Sequence, residues 1–82
     1  MDNLNINLKL YGNLNKYIKN YDHKKGVTLR LDSNWILIDV VTRIGIPENR
    51  ISLILAGDKI VSLNYRVKNN DIIKIFSQIG GG

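Results

Sequence analysis

The stretch LNINLKLY, residues 4–11, places an apolar side chain at every second position. Leu4, Ile6, Leu8 and Leu10 alternate with Asn5, Asn7, Lys9 and Tyr11. A period of two belongs to a strand with one buried face and one open face. Such a strand is not stable alone. Its backbone groups need neighbouring strands, and its apolar side needs a covering layer.

The rest of the chain supplies both. Val27, Leu29 and Leu31 share one side of VTLRL, and the compact connection before it predicts pairing with the first strand. ISLILAG, residues 51–57, predicts a third strand with Leu53 and Leu55 on one face and Ser52 and Ile54 on the other. AGDKIV predicts a tight turn into a short strand around Ile60 and Val61. IIKIFSQI is the last strand, with Ile73 and Ile75 on one face and Ile72, Lys74 and Phe76 on the other. Before it, Asn69, Asn70 and Asp71 carry turn chemistry.

Two segments change period. Leu14, Tyr17, Ile18 and Tyr21 fall at i, i+3, i+4 and i+7, predicting a short helix between Gly12–Asn13 and Gly26. Leu37, Val40, Val41 and Ile44 repeat that spacing in a longer helix. Asp32, Ser33 and Asn34 are candidate caps, Gly45 is placed to end the helix, and Pro47 blocks its continuation. Asp39 and Arg43 form an i, i+4 pair on its far side. Its β-branched run has modest helix propensity, so packing on the sheet must hold it. The predicted class is α+β with a β-grasp layout: a mixed sheet of four to five strands covered by one long helix plus a short one. Leu8, Leu10, Leu29, Leu37, Val41, Ile44, Leu53 and Ile75 are the expected core, with Trp35 at its edge.

Eighty-two residues make one domain, expected over residues 1–79, followed by a flexible glycine tail at 80–82. The chain has no cysteine, which removes disulfides, thiolate metal sites and a cysteine nucleophile. It opens without a signal-peptide pattern, and no apolar run approaches the roughly 20 residues of a membrane span. A cytoplasmic location is expected. The net charge is +5, and Lys16, Lys19, Lys24 and Lys25 lie close together, read as a solvated loop. His23 is the single histidine and lies in that loop. A metal site needs more ligands than it can supply. Asp2, Asp22, Asp32, Asp39, Glu48, Asp58 and Asp71 are dispersed over turns and caps. No phosphate loop and no nucleophile–base set is present. The chain reads as a substrate or binding module with no catalytic residue, no metal site and no bound cofactor.

Gly80, Gly81 and Gly82 follow the last strand directly. Together with its lead-in, RIGIPENRISLILAGDKIVSLNYRVKNNDIIKIFSQIGGG, this ending resembles the C-terminal half of the MoaD/ThiS family of ubiquitin-like sulfur carriers. INLKLYGNLNKYI is similar to that family's opening strand and short helix, so the resemblance covers nearly the whole chain. Two features depart from the pattern. Asn69–Asn70–Asp71 replaces an Asp-Gly-Asp turn, and Asn tolerates the left-handed backbone that Gly would take. Ser77–Gln78 stands where molybdopterin-type carriers often have proline, which leaves the molybdopterin and thiamin branches both open.

The resemblance implies a working tail. An adenylyltransferase of the ubiquitin-activating type would use ATP and Mg²⁺ to adenylate the Gly82 carboxylate. A sulfur donor would convert it to a thiocarboxylate. Gly80 and Gly81 would thread a narrow channel into a sulfur-accepting synthase subunit, like the molybdopterin synthase large subunit or thiazole synthase. The extended tail from Ser77 reaches ~20 Å at ~3.3 Å per residue. Tyr11, Ile60 and Phe76 match apolar positions through which such carriers dock partners. Neither a membrane nor a nucleic acid is an expected partner. Two other readings share the sequence: a protein modifier joined through Gly82 to a lysine, and a TGS-like binding module, which DKIVSLNYRVKNNDIIKI resembles.

Overall fold

The computed structural model describes residues 3–32 and 35–77. Five strands form one mixed sheet: β1 (Leu4–Tyr11), β2 (Val27–Leu31), β3 (Ile51–Ala56), β4 (Lys59–Val61) and β5 (Ile72–Ser77). Their order across the sheet is β2-β1-β5-β3-β4. β1 runs antiparallel to β2 and parallel to β5, and β3 runs antiparallel to both β5 and β4. The one α-helix among the described residues, α1 (Leu37–Ile44), lies between β2 and β3 in the chain. This is the β-grasp, ubiquitin-like arrangement.

Alternation along β1 and β5 positions the core. Ile6, Leu8 and Leu10 are buried on β1, and Ile73 and Ile75 on β5. Leu37, Val40 and Val41 of α1 join them, with Leu14, Leu31, Ile46, Ile54, Ala56 and Val67. Of the expected core, Leu29 and Ile44 are half-buried and pack against this cluster, as does Trp35. Leu53 does not belong to it. Its Cα partner is Phe76, on the face away from the core, and it is 38% exposed. The strand register shifts between Ile51 and Leu53, and Ile54 is the inward residue, paired with Ile75.

The short helix is one 3₁₀ turn, Leu14–Tyr17, and does not continue towards Gly26. Ile18 is already extended, and Asn20 adopts a left-handed φ of 61°. Asparagine competes for its own backbone and Tyr and Ile are weak helix formers, so a few residues cannot sustain an α-helix here. The apolar stripe is used differently. Leu14 is buried, while Tyr17, Ile18 and Tyr21 pack on the core from the loop. The Tyr21 hydroxyl accepts from the Leu10 N–H at 2.7 Å, capping the end of β1.

α1 is also capped from an unexpected direction. Its N-cap is Ile36, and Asp39 reaches back to accept from the Ile36 N–H at 3.4 Å. The Leu37 and Ile38 N–H groups donate to the carbonyls of Tyr65 and Leu63, at 2.9 and 3.0 Å. The loop before β5 thus satisfies helix donors that Asp32, Ser33 and Asn34 were expected to take. Asp32 is exposed, and Ser33 and Asn34 lie outside the described residues. Asp39 and Arg43 also turn to partners other than each other: the Arg43 guanidinium stands 5.4 Å from the centroid of the Trp35 ring. Gly45 ends α1 as expected, with φ 98° and its N–H donated to Val41 O.

Candidate docking face and tail root

α1 covers one side of the sheet, and strand register defines what stands on the other. Paired residues on neighbouring strands project to the same face, so the partners can be followed across the sheet. One row runs Tyr11, Phe76, Leu53. The next runs Lys9, Lys74, Leu55, Ile60. Ile72 opens a third, beside Asn7. Tyr11, Leu53, Ile60 and Ile72 are the large apolar side chains that the described residues leave exposed. All four stand on this face.

The Tyr11 and Phe76 rings are stacked, with centroids 4.6 Å apart and planes 10° from parallel. They stand up from adjacent central strands and hold each other upright. Ile60 shares their face but not their contact. It sits on β4, two strands from Phe76 and one row away, about 10 Å across the sheet at ~4.8 Å per strand. At 74% exposure it is almost free of neighbours. The structure therefore brings Tyr11 and Phe76 together and leaves Ile60 at the rim. Leu53 belongs with the aromatic pair, and the sequence pattern misses it by placing it in the core.

A groove beside this row is lined by Tyr11, Gly12, Asn13, Ser52, Leu53, Phe76 and Ser77. It lies at the end of β5. The Ser52 hydroxyl lies 3.3 Å from the Phe76 carbonyl and 3.0 Å from the Ser77 carbonyl, and donates to this pair of acceptors. From the other flank, the Asn13 N–H donates to the Ser77 hydroxyl at 3.4 Å. Gly12 fits only as glycine: its φ is 72°, and a Cβ there would run into the Ser77 Oγ. The end of β5 is held from both sides. Gly80, Gly81 and Gly82 lie outside the described residues.

The turn that feeds β5 is equally well tied. Asn70 takes the expected left-handed backbone, with φ 70°, and donates its N–H to Asn5 O at 2.7 Å. The Asn69 side chain accepts from the Asn5 N–H, and the Asp71 carboxylate accepts from Tyr65 O–H and Lys68 N–H. Burial, together with the hydrogen bond and charge of Asp71, pushes the Tyr65 phenol up to about 12.

His23 lies elsewhere, in the exposed loop, 3.3 Å from the Asn15 amide and edge-on to Tyr21. Lys16, Lys19, Lys24 and Lys25 are exposed around it. Among the described residues, no three His, Asp or Glu side chains group as metal ligands. No helix of the described residues is long and apolar enough to cross a membrane.

Against known families, residues 3–79 match the model of the family described as Mut7-C ubiquitin. The matched span runs from the start of β1 past the end of β5 and covers the whole sheet and its helix. No curated protein matches the chain.

Proposed function

The chain belongs to the Mut7-C ubiquitin family, and we propose that it is a ubiquitin-like sulfur carrier acting through the carboxylate of Gly82. The observation that carries this reading is the junction of tail and sheet. In the sequence Gln78–Ile79–Gly80–Gly81–Gly82 follow a strand end anchored by Ser52 and Asn13, beside the partly exposed Tyr11–Phe76 pair. An anchored strand end followed, after Gln78 and Ile79, by three glycines suits a tail that must enter a narrow site.

A carboxylate with a pKa near ~3.5 is ionised at neutral pH and is a poor acceptor for nucleophiles. In the proposed cycle, an adenylyltransferase of the ubiquitin-activating type binds the body and presents ATP and Mg²⁺ to Gly82. The carboxylate oxygen attacks the α-phosphorus and pyrophosphate leaves. A donor at the oxidation level of sulfide then attacks the acyl carbon and expels AMP, leaving a thiocarboxylate. A sulfur-accepting synthase subunit takes that sulfur in molybdopterin- or thiamin-type cofactor biosynthesis. Tyr11, Phe76 and Ile60 dock these partners, and Gly80 and Gly81 thread their channels.

The test is mass spectrometry of the intact protein after incubation with a co-encoded adenylyltransferase, ATP, Mg²⁺ and sulfide. One oxygen of Gly82 should be replaced by sulfur. Appending a single alanine should abolish the change and leave folding untouched. Absence of adenylation by every co-encoded enzyme of that type would remove the carrier reading. The intact mass of the cellular protein checks the premise that the Gly82 carboxylate is free. Isopeptide conjugates in lysate would instead mark a protein modifier. A second reading, a non-catalytic binding module, draws on the Tyr11–Phe76–Leu53 row, which is complete without the tail.

A further inference from the structure

Lys9 and Lys74 are Cα partners on β1 and β5, strands with neighbours on both sides. Both side chains are half-buried. Like charges directly opposite on neighbouring strands destabilise a sheet, and partial burial weakens the solvent screening that would excuse them. Their surroundings offer no relief. Leu55 flanks Lys74, the Tyr11–Phe76 pair lies one row up, and Asn7 and Ile72 lie one row down. Toward β2, the face continues through Asn5, Thr28 and a third cation, Arg30. No strand position on this face carries a carboxylate.

The nearby loops are also committed. Asp22 accepts from the Lys24 and Lys25 N–H groups, and the Lys25 carbonyl accepts from the Asn7 amide, bringing two more lysines to the same edge. The Asp71 carboxylate is held by Tyr65 and Lys68. Among the described residues, no strand position of this face sets a counter-charge beside Lys9 and Lys74, and the face is left positive.

We propose that the open face docks an acidic protein surface, with partner carboxylates seated over Lys9 and Lys74 and partner apolar groups against Tyr11, Phe76 and Leu53. This deepens the docking part of the function proposed above and rests on it only in treating the face as a working surface. The aromatic geometry favours a protein over a nucleic acid. Bases bind by stacking on free ring faces, but Tyr11 and Phe76 spend one face each on the other. The face then continues through Leu53, Leu55 and Ile60, which suit an apolar partner surface.

Two measurements on the full chain test the proposal, and neither involves Gly82. In the free protein, Lys74→Gln or Lys9→Gln should raise Tm by about 2–5 °C at low salt. The gain should shrink at 1 M salt, where screening acts within ~3 Å. An unchanged or lowered Tm at low salt overturns the repulsion on which the proposal stands. The second measurement titrates ¹⁵N-labelled protein with three probes. They are a synthetic peptide of alternating Glu and Phe, its Gln-for-Glu counterpart, and an oligothymidylate.

The acidic peptide should shift the amides of Lys9, Tyr11, Leu53, Lys74 and Phe76. Its affinity should fall at least about tenfold in the Lys9→Gln, Lys74→Gln double variant. Equal binding of the Gln peptide, tighter binding of the oligothymidylate at the same amides, or no response on this face would each overturn it. A Gly82 that is thiocarboxylated while these probes fail would sink this inference alone. A Gly82 that is never adenylated while they succeed would sink only the carrier chemistry.

Discussion

β5 shows two surfaces in six residues. Ile73 and Ile75 face α1 and are fully buried, whereas Ile72, Lys74 and Phe76 face outward on the same backbone. The buried residues behind it are all aliphatic and come from β1, β2, β3, β5, α1 and the connecting loops. The open face mixes a stacked aromatic pair, cations and isolated aliphatic side chains. The first composition is what a small core requires, because burial of each apolar side chain must offset the entropy of ordering a short chain. The second is wasteful for a surface that only meets water. The difference separates residues retained for folding from residues available for recognition, and substitutions on adjacent positions can test it.

The largest contrast should come from β3. Ile54→Ala should cost about 2–5 kcal/mol in chemical denaturation, as expected for a buried aliphatic truncation. Leu53→Ala, one residue away, should cost under about 1 kcal/mol, and Ile60→Ala at the rim within about 0.5 kcal/mol. Equal losses at positions 53 and 54 would mean that Leu53, like Ile54, packs into the core.

That shift also marks where the sequence stops being readable. β1 and β5 announce their faces because Asn, Lys and aliphatic residues alternate cleanly. ISLILA does not, since apolar residues occupy both faces and a one-residue irregularity inverts the phase. The stripe Leu37, Val40, Val41, Ile44 gave away α1, but its capping by the Leu63 and Tyr65 carbonyls depends on a loop about 26 residues distant, beyond any local signal. Tyr11 and Phe76 could each be assigned to the open face by alternation. Their stacking, and the juxtaposition of Lys9 with Lys74, needed the register of a parallel pair whose strands lie at opposite ends of the chain.

Phe76→Ala sharpens the comparison from the open side. Its main effect should fall on partner affinity, by about 2 kcal/mol or more if the aromatic row is a hot spot. Folding should lose less, on the order of the 0.5–1.5 kcal/mol of an aromatic pair together with some half-buried area. Calorimetry of the variant alone and with the adenylyltransferase separates the two. A folding loss of about 3–5 kcal/mol would instead place Phe76 with the core.

Gly12→Ala probes the end of β5, where Gly12 lies against Ser77. A left-handed φ costs a non-glycine residue roughly 1–2 kcal/mol, and the new Cβ also meets Ser77 Oγ. Adding Ser77→Ala should relieve the collision and leave the backbone strain, so the double variant should recover only part of the lost stability. Full recovery would show that contact, not φ, restricts position 12.

The smallest expected effect belongs to Tyr65, and it appears only with pH. Its phenol ionises at about 12 in the folded chain, against 10.0 for the unperturbed group. The neutral form is therefore favoured by folding, first by desolvation and then by the hydrogen bond and charge of Asp71. The sign follows from linkage: the stabilisation is fully present below pH 10, and is lost as pH rises through the folded value. Denaturant midpoints measured from pH 9 to 12 should fall more steeply in the wild-type chain than in Tyr65→Phe, which has no phenol to ionise. The two chains differ by one hydroxyl, so the difference between the curves isolates position 65. Parallel curves would mean that the Tyr65–Asp71 contact opens in solution, and with it the clamp that sets where β5 begins.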